Sequence, residues 1–565
     1  MKCVAVFASN ASLAQFRVEE FLCVAELFHV HISRVEGVSW LEGEDNDCFF
    51  VFHCDAVQQL QRVAHRCVLL RGIYVLLQTA PSLEDLYDRH RQREGHPTIY
   101  EGEQESDYCE GDFCYGVETV GRRYSGEAKT KIIDELLRTS TYDANSRAVN
   151  YKNPQVRFVL FVQHATQEAP AGAPKGWVPD GPVLRVFHCV SLFESHRNAT
   201  LTKYDLRKRP YIGTTSMPPE ESLLMGNFCR VAPGSLVLDP FCGTGSLLVA
   251  AAHYGGHTIG ADADGRAMRC GTTKGKTSPQ LVQQRRLALA TYPAHTLARL
   301  TLEEQQLPDM LTNFKVYGLC PPDRIRMNFS AWEKSWHPCR MVDGGNQTSP
   351  QEGFLDAIVT DPPYGLREPR KRIVQDGEGG EASGSVAAYD THEMVLDLVL
   401  FAAASLTVGG YLTFWHPTTD QYQDDELPTH PSMRIITNIP QRVSLKVVRR
   451  LVVMRKEEPL PAVRPTRAAC APRRPTENLR KLHDETHLPE NKDYTDYRER
   501  LERKRAATQK YWQQSGEEPT RRQRVGDRQE EIVLNRENKI RLREEKQKES
   551  HKQNALNASK NKTNK

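Results

Sequence analysis

The stretch VLDPFCGTGSLLVAAAHYGGHTIGADAD, residues 237–264, decides the fold. It reads as an apolar strand, a glycine-bearing turn, an apolar helix, a second strand and an acidic end. Strands that alternate with helices in this way build a parallel sheet covered on both faces. Gly243 and Gly245 remove side chains where a ligand must touch backbone. The helix opening at Thr244 offers unpaired N–H groups and the positive end of its dipole. Asp239 closes the first strand, followed by Pro240. Asp262 closes the second, where a carboxylate accepts from both hydroxyls of a ribose. The turn suits an adenosine-containing ligand that also carries a carboxylate or phosphate; a turn needed only for close packing would use the same residues. There is no GxxxxGK[ST] and no GxGxxG, which disfavours nucleoside triphosphates and dinucleotides.

Outward from this stretch the alternation continues from Leu201 to about Lys456. Strands are expected at Ser235–Leu238, His257–Ala261, Ile325–Asn328 and Asp356–Thr360. The helix Met394–Leu406 then leads to a strand at Tyr411–Trp415, and Arg434–Asn438 and Leu445–Met454 read as closing strands. Residues 268–312 form a long insertion with no clear period, and Gly365–Ala388 reads as a mobile loop.

The second informative stretch is DAIVTDPPYGLRE, residues 356–368. A buried strand ends in Asp361-Pro362-Pro363-Tyr364. Both prolines fix φ and lack an N–H, so the loop is stiff and its carbonyls point outward. That suits gripping a planar amino group, although a rigid turn after a strand would look the same. The nitrogen of a nucleobase amine is a poor nucleophile because its lone pair is delocalised. Acceptors on the Asp361 side chain and the Pro362 carbonyl bind its two hydrogens and favour a pyramidal nitrogen. Asp361 can also take the departing proton, and Tyr364 can stack on an extracted base. Both stretches fall at the carboxyl edge of one sheet, where ligands bind in open α/β folds.

The turn D-P-F-C-G-T-G, residues 239–245, resembles motif I of the class I S-adenosylmethionine-dependent methyltransferases, and D-P-P-Y resembles the catalytic loop of those that methylate amino groups. With YDLRKRPYIGTTSM (Tyr204–Met217), NFKVYGL (Asn313–Leu319), PRKR after the D-P-P-Y loop, and GGYLTFWHP, the series is similar to the tRNA guanosine N2-methyltransferases that act at tRNA position 10. The resemblance spans roughly residues 200–456. It implies a Rossmann-like α/β domain that uses S-adenosyl-L-methionine. Asp239, Pro240, Gly243, Thr244 and Gly245 are then the cofactor turn, Asp262 the ribose acid, and Thr214, Thr215 and Ser216 a segment near the cofactor's methionine. Asp361, Pro362, Pro363 and Tyr364 are the catalytic loop. One departure concerns the acidic residue that usually faces the adenine amine. Here that stretch is Met327-Asn328-Phe329-Ser330, which leaves Asn328 as the adenine contact. The resemblance also implies tRNA as partner, an N-terminal ferredoxin-like region with a THUMP domain, and a small zinc-binding methyltransferase-activator protein. An amino methyltransferase acting on adenine in DNA or another RNA, and a non-catalytic RNA-binding scaffold, are the rival readings.

Residues 1–195 carry strands and helices but no catalytic constellation. Lys2–Ala8, His29–Val35, Cys48–His53 and Ile73–Gln78 read as strands, and Leu13–Phe28 and Ala56–His65 as helices. Glu94–Arg122 reads as a loop, Lys129–Arg138 as a helix, and Gln155–Val162 and Pro182–Phe193 as strands. The domain scheme is therefore 1–195 for tRNA binding, 196–458 for methyl transfer and 459–565 for a Pro-rich linker and a basic tail. Residues 461–565 carry 27 Lys and Arg against 17 Asp and Glu, a net charge of +10 within a chain of net charge +3. The tail is too polar to bury a core and reads as disordered, apart from a charged helix at Asp493–Gln509. It adds phosphate contacts or is simply a solvated extension, and Arg370, Lys371 and Arg372 admit the same two readings.

Composition narrows the rest. No run reaches the roughly 18–20 apolar residues that a bilayer crossing needs, so no membrane is expected. The start, MKCVAVFASNASLAQF, lacks a basic segment ahead of an apolar one and a cleavage site, so no secretory leader is expected. Fourteen cysteines without a CxxC pair speak for reduced thiols, a cytoplasmic location and no metal site. Cys109 and Cys114 form the one spacing that would interest a metal, and no paired histidines accompany them.

Overall fold

A computed structural model describes residues 1–35, 47–91, 110–139, 148–165, 181–213, 216–268, 279–336, 353–364, 371–373, 386–443 and 447–474. Two seven-stranded sheets organise them. The first contains β1 (Lys2–Phe7), β2 (Ser33–Arg34), β3 (Phe49–His53), β4 (Leu70–Ala80), β5 (Phe113–Val120), β6 (Val156–His164) and β7 (Val183–Glu194). Its order is β2-β3-β1-β4-β7-β6-β5. The first four strands, with helices Arg17–Leu27 and Leu60–Arg66, form a split βαββαβ unit, the ferredoxin-like arrangement. Their neighbours pair antiparallel.

The two N-terminal blocks of the sequence merge through the long β4, which takes β7 on its far side. Alternation sets the faces: Tyr74 and Leu76 enter one core with Phe49, Phe161 and Phe187, while Val75 and Leu77 enter another with Leu86 and Phe158. One expectation needs correction. Glu94–Arg122 is not all loop, because FCYGVETV within it is β5, parallel to β6 along eight residue pairs. Helix Gly126–Thr139 supplies the crossover that a parallel pair requires. Cys114 is buried in this strand, and Cys109 lies outside the described residues.

The second sheet contains β8 (Leu236–Asp239), β9 (His257–Asp262), β10 (Asp323–Arg326) and β11 (Leu355–Thr360). A two-stranded ribbon of β12 (Lys371–Ile373) and β13 (Val386–Ala388) follows inside the stretch expected to be a loop. Then come β14 (Leu406–Thr419), β15 (Met433–Arg442) and β16 (Val447–Lys456). The order is β10-β9-β8-β11-β14-β16-β15, parallel as far as β14, with β16 antiparallel to both β14 and β15. This is the doubly wound sheet of the class I methyltransferase fold. The chain reverses its winding between β8 and β11, so the carboxyl ends of these two strands flank a crevice.

The sheet is buried on both faces, which explains the near-continuous apolar runs of its strands. Val237, Val359, Trp415 and Leu451 face one core with helices Pro219–Phe228, Ser246–His253 and Met310–Tyr317. Leu238, Ile358, Phe414 and Val452 face the other with helix Thr391–Ser405. The unreadable insertion holds four short helices, at Pro279–Leu289, Ala294–Leu297, Leu302–Gln306 and Met310–Tyr317. Capping boxes at Thr301/Glu304 and Asp309/Thr312 start the last two.

The ferredoxin-like unit packs on the first of these cores. Leu13, Phe16, Cys23, Val68 and Leu69 share a cluster with Phe228 and Trp415. A polar knot closes the seam. Fully buried Glu20 accepts from the amides of Val68 and Leu69 (2.8 Å each) and from Asn227 Nδ2 (2.7 Å). Arg66 Nε donates to Asn227 Oδ1 (2.6 Å) and its guanidinium lies 3.4 Å from the Tyr254 ring centroid. Residues 459–474 stay on the second sheet's domain: Cys470 is buried, its carbonyl accepts from Thr429 N (3.0 Å), and Arg467 pairs with Asp397.

Candidate active site

The turn after β8 is held by its own neighbours. Asp239 is 2% exposed, and its Oδ1 accepts from Phe241 N (3.0 Å) and from Thr360 Oγ1 (2.7 Å). Burial pushes its carboxyl up to about 7, partly opposed by those two hydrogen bonds. Gly243 N donates to Asp262 Oδ2 (2.8 Å) and Asp264 N to Asp262 Oδ1 (2.7 Å). Asp262 thus fixes the height of the glycine turn while remaining half-exposed at the end of β9. The two glycines serve different ends. At Gly245 (φ +81°) a Cβ would come within 3.1 Å of the Met310 side chain, so packing and backbone angle both exclude one. At Gly243 (φ +50°) a Cβ would meet nothing within 4 Å, so the backbone there borders open space. An open glycine backbone beside a helix N-terminus and a part-exposed carboxylate fits an adenosyl ligand with an anionic group.

Ser216 joins this turn. Its Oγ lies 2.7 Å from Thr244 Oγ1 and accepts from Gly213 N (2.8 Å). Thr214 and Thr215 lie outside the described residues. Asn328 follows β10, beside the end of β9, and Met327 N donates to Asp262 O (3.1 Å). The Asn328 Oδ1 accepts from Ser330 N (3.2 Å) and Ser330 Oγ (3.0 Å), so this side chain caps a 3-10 turn. Phe329 packs on Phe241 with ring centroids 4.8 Å apart.

The loop Asp361–Tyr364 leaves the carboxyl end of β11, directly after Thr360. Thr360 therefore links the cofactor turn to this loop through Asp239. Pro362 is buried, and Asp361, Pro363 and Tyr364 are half-buried. Tyr364 Oη donates to Asp361 Oδ1 (2.6 Å), and burial holds that phenol well above its ordinary value, so it stays a donor. In this structure Tyr364 orients the carboxylate. Of the following basic run, Arg370 lies outside the described residues and Lys371 and Arg372 belong to β12.

Sequence reasoning missed Thr360, Trp415, Glu221 and Arg449. Arg449 sits in β16, opposite Pro417 of β14 and Gln441 of β15, on the face that holds Trp415. The available signal was the pair Arg449-Arg450 inside an otherwise apolar strand, VVRRLVVM, since a charge in a buried strand needs a partner.

Comparison with known proteins follows the same lines. Residues 207–305 match the family model described as RMKL-like, methyltransferase domain. The tRNA (guanine(10)-N(2))-methyltransferase TRMT11 of Dictyostelium discoideum is 26% identical over 478 residues, which is 78% of this chain and 80% of that protein. TRMT11 of Mus musculus is 27% identical over 431 residues, covering 72% and 79%. The tRNA (guanine(10)-N(2))-methyltransferase of Saccharomyces cerevisiae is 27% identical over 459 residues, covering 78% and 89%. Over about three quarters of its length, the chain is a relative of the tRNA (guanine(10)-N(2))-methyltransferases, the family its motifs resemble.

Proposed function

We propose that this chain is an S-adenosyl-L-methionine-dependent enzyme that methylates the exocyclic N2 of guanosine at position 10 of tRNA. One observation carries the reading. A continuous path of bonds runs from Asp262 through the Gly243 turn to Asp239, Thr360 and Asp361, so the turn and the amine grip share one crevice. The relatives that bear this activity in their names extend along most of the chain, which supports the tRNA substrate.

Asp239, Pro240, Gly243, Thr244, Gly245 and Asp262 hold the cofactor, with Thr214–Ser216 beside its methionine and Asn328 towards its adenine. When bound, the cofactor supplies an electrophilic methyl, the N–C bond forming as the C–S bond breaks. Asp361 and the Pro362 carbonyl accept the two amine hydrogens and localise the lone pair for attack. Asp361 then takes the surplus proton, directly or through water. Tyr364 keeps the carboxylate in place until the base arrives and then stacks on it. No covalent intermediate is needed, because positioning and charge complementarity suffice.

The other assignments belong to the same reading. Residues 1–195 are the ferredoxin-like and THUMP-type region that chooses the tRNA by its shape and single-stranded end. Residues 196–458 perform the transfer, and the basic segment that follows adds an electrostatic term. A small zinc-binding activator protein is the partner, and the location is the cytoplasm. No helix among the described residues is long and apolar enough to cross a membrane. Incubation of unmodified tRNA with the protein, its activator and the cofactor, followed by nucleoside mass spectrometry, tests the proposal. N2-methylguanosine is the expected product; N6-methyladenosine, or no methylated nucleoside, would refute it.

A further inference from the structure

The cofactor turn is fixed by backbone bonds to two carboxylates, but the catalytic loop is fixed by a single long side chain from the far end of the domain. Arg449 is largely buried. Its Nη2 donates to Glu221 Oε2 (2.6 Å), its Nε to Gln441 Oε1 (2.7 Å), and its guanidinium lies 4.0 Å from the Trp415 ring centroid. The same guanidinium is within hydrogen-bond reach of the Tyr364 phenol, whose proton goes to Asp361 Oδ1. Each anchor belongs to a different element. Glu221 is on helix Pro219–Phe228, which follows the Ser216 segment. Gln441 is on β15 and also donates from Nε2 to Ser12 O (3.3 Å) of the ferredoxin-like unit. Trp415 is on β14, edge-to-face with Phe16 of that unit at 5.9 Å.

From this geometry we propose that Arg449 is a positioning residue for methyl transfer: clamped by Glu221, Gln441 and Trp415, it holds Tyr364, and through it the Asp361 carboxylate, in the orientation that accepts the amine. A planar fork suits the role. One edge is taken by a carboxylate and an amide, one face by an indole, and a donor remains for the phenol. A lysine has the charge but not the fork. The surroundings of the guanidinium leave it one arrangement, so the loop inherits that rigidity. The proposal rests on the reading of Asp361 as the amine acceptor.

A double-mutant cycle tests it, using the full chain with its activator. Arg449→Gln should lower kcat about tenfold or more. The KM for tRNA, the cofactor Kd by calorimetry and Tm should change little, which a purely structural or phosphate-binding role would not allow. Arg449→Lys should recover part of kcat. In a Tyr364→Phe background, Arg449→Gln should cost little more, because the route to Asp361 is already cut. Multiplying effects of the two changes would overturn the proposal, as would a kcat loss that only tracks a lower Tm. If Arg449→Gln does not fold, the cycle is read with Arg449→Lys by the same criteria. An Asp361→Ala enzyme that still turns over would instead overturn the underlying assignment. A dead Asp361→Ala enzyme, with Arg449 and Tyr364 acting independently, would reject this inference alone.

Discussion

The cofactor side of the crevice and its catalytic side are built on different plans. Around Asp239, Gly243 and Asp262 the stabilising bonds are mostly local in sequence: Asp239 to Phe241, Gly243 to Asp262, Asp262 to Asp264. Around Asp361 only the bond to Tyr364 is local. What fixes that pair comes from Arg449, and Arg449 is itself clamped by Glu221, more than two hundred residues away in the chain. A turn that must fit an invariant ligand can be encoded in one stretch. A loop that must place one carboxylate against an incoming base depends on the assembled domain.

The sharpest way to break this comparison is at Asp361. Asp361→Ala should lower the rate by at least about 10²-fold, the usual loss for a positioned acid–base group, while the cofactor Kd stays within experimental scatter. Equal losses in rate and cofactor affinity would mean that the two sides are one structural unit. Next in size is Asp262. Its two oxygens hold the amides of Gly243 and Asp264, so Asp262→Ala loosens the turn as well as removing the ribose contact. Calorimetry should show the cofactor Kd rising by about tenfold to a hundredfold, as expected for lost charge-assisted hydrogen bonds. tRNA affinity should hold. An unchanged cofactor Kd would move the ribose contact elsewhere.

This difference in plan also explains what was legible in the sequence. The seven strands of the catalytic sheet were visible because both faces are buried and each strand is an apolar run. The Asp239–Gly245 turn, Asp262 and Asp361–Tyr364 were visible because each lies within a single contiguous motif. Arg449, Glu221 and Thr360 were not, since their meaning arises only when β8, β11 and β16 are neighbours. β5 was hidden inside a polar stretch, because a strand at the edge of a sheet needs little apolar content to pair with β6. The four helices of the insertion lacked a period because their cores are shared with Tyr204 and Tyr317 rather than built on one long face.

A smaller effect should appear in stability against pH. Asp239 and Glu20 both stand at about 7 in the folded chain, above their ordinary values of 3.8 and 4.5. Between about pH 4 and 7 the native state keeps protons that the unfolded state has released, so stability falls as pH rises through this window. Tm should drop from pH 5 to 8, and Asp239→Asn should flatten the drop, with Glu20 supplying what remains. Identical slopes for variant and parent would place the protonation elsewhere. The smallest change is expected from the tail. Because residues 459–474 dock on the domain, the cut belongs after Thr476, beyond which 23 Lys and Arg face 17 Asp and Glu. Its removal should weaken tRNA binding modestly and flatten the salt dependence, with the preference among tRNAs kept. An unchanged salt slope would remove the electrostatic role.

The central claim, that Asp361 and Pro362 grip an exocyclic amine at tRNA position 10, meets its most direct test in a tRNA carrying inosine there. Inosine keeps the ring, the carbonyl and the stacking surface of guanosine and lacks only the 2-amino group. Methyl transfer from labelled cofactor should vanish with this tRNA while its binding stays near that of the parent. Methylation that persists on the inosine-bearing tRNA would contradict the account, because the accepting atom would then lie elsewhere in the substrate.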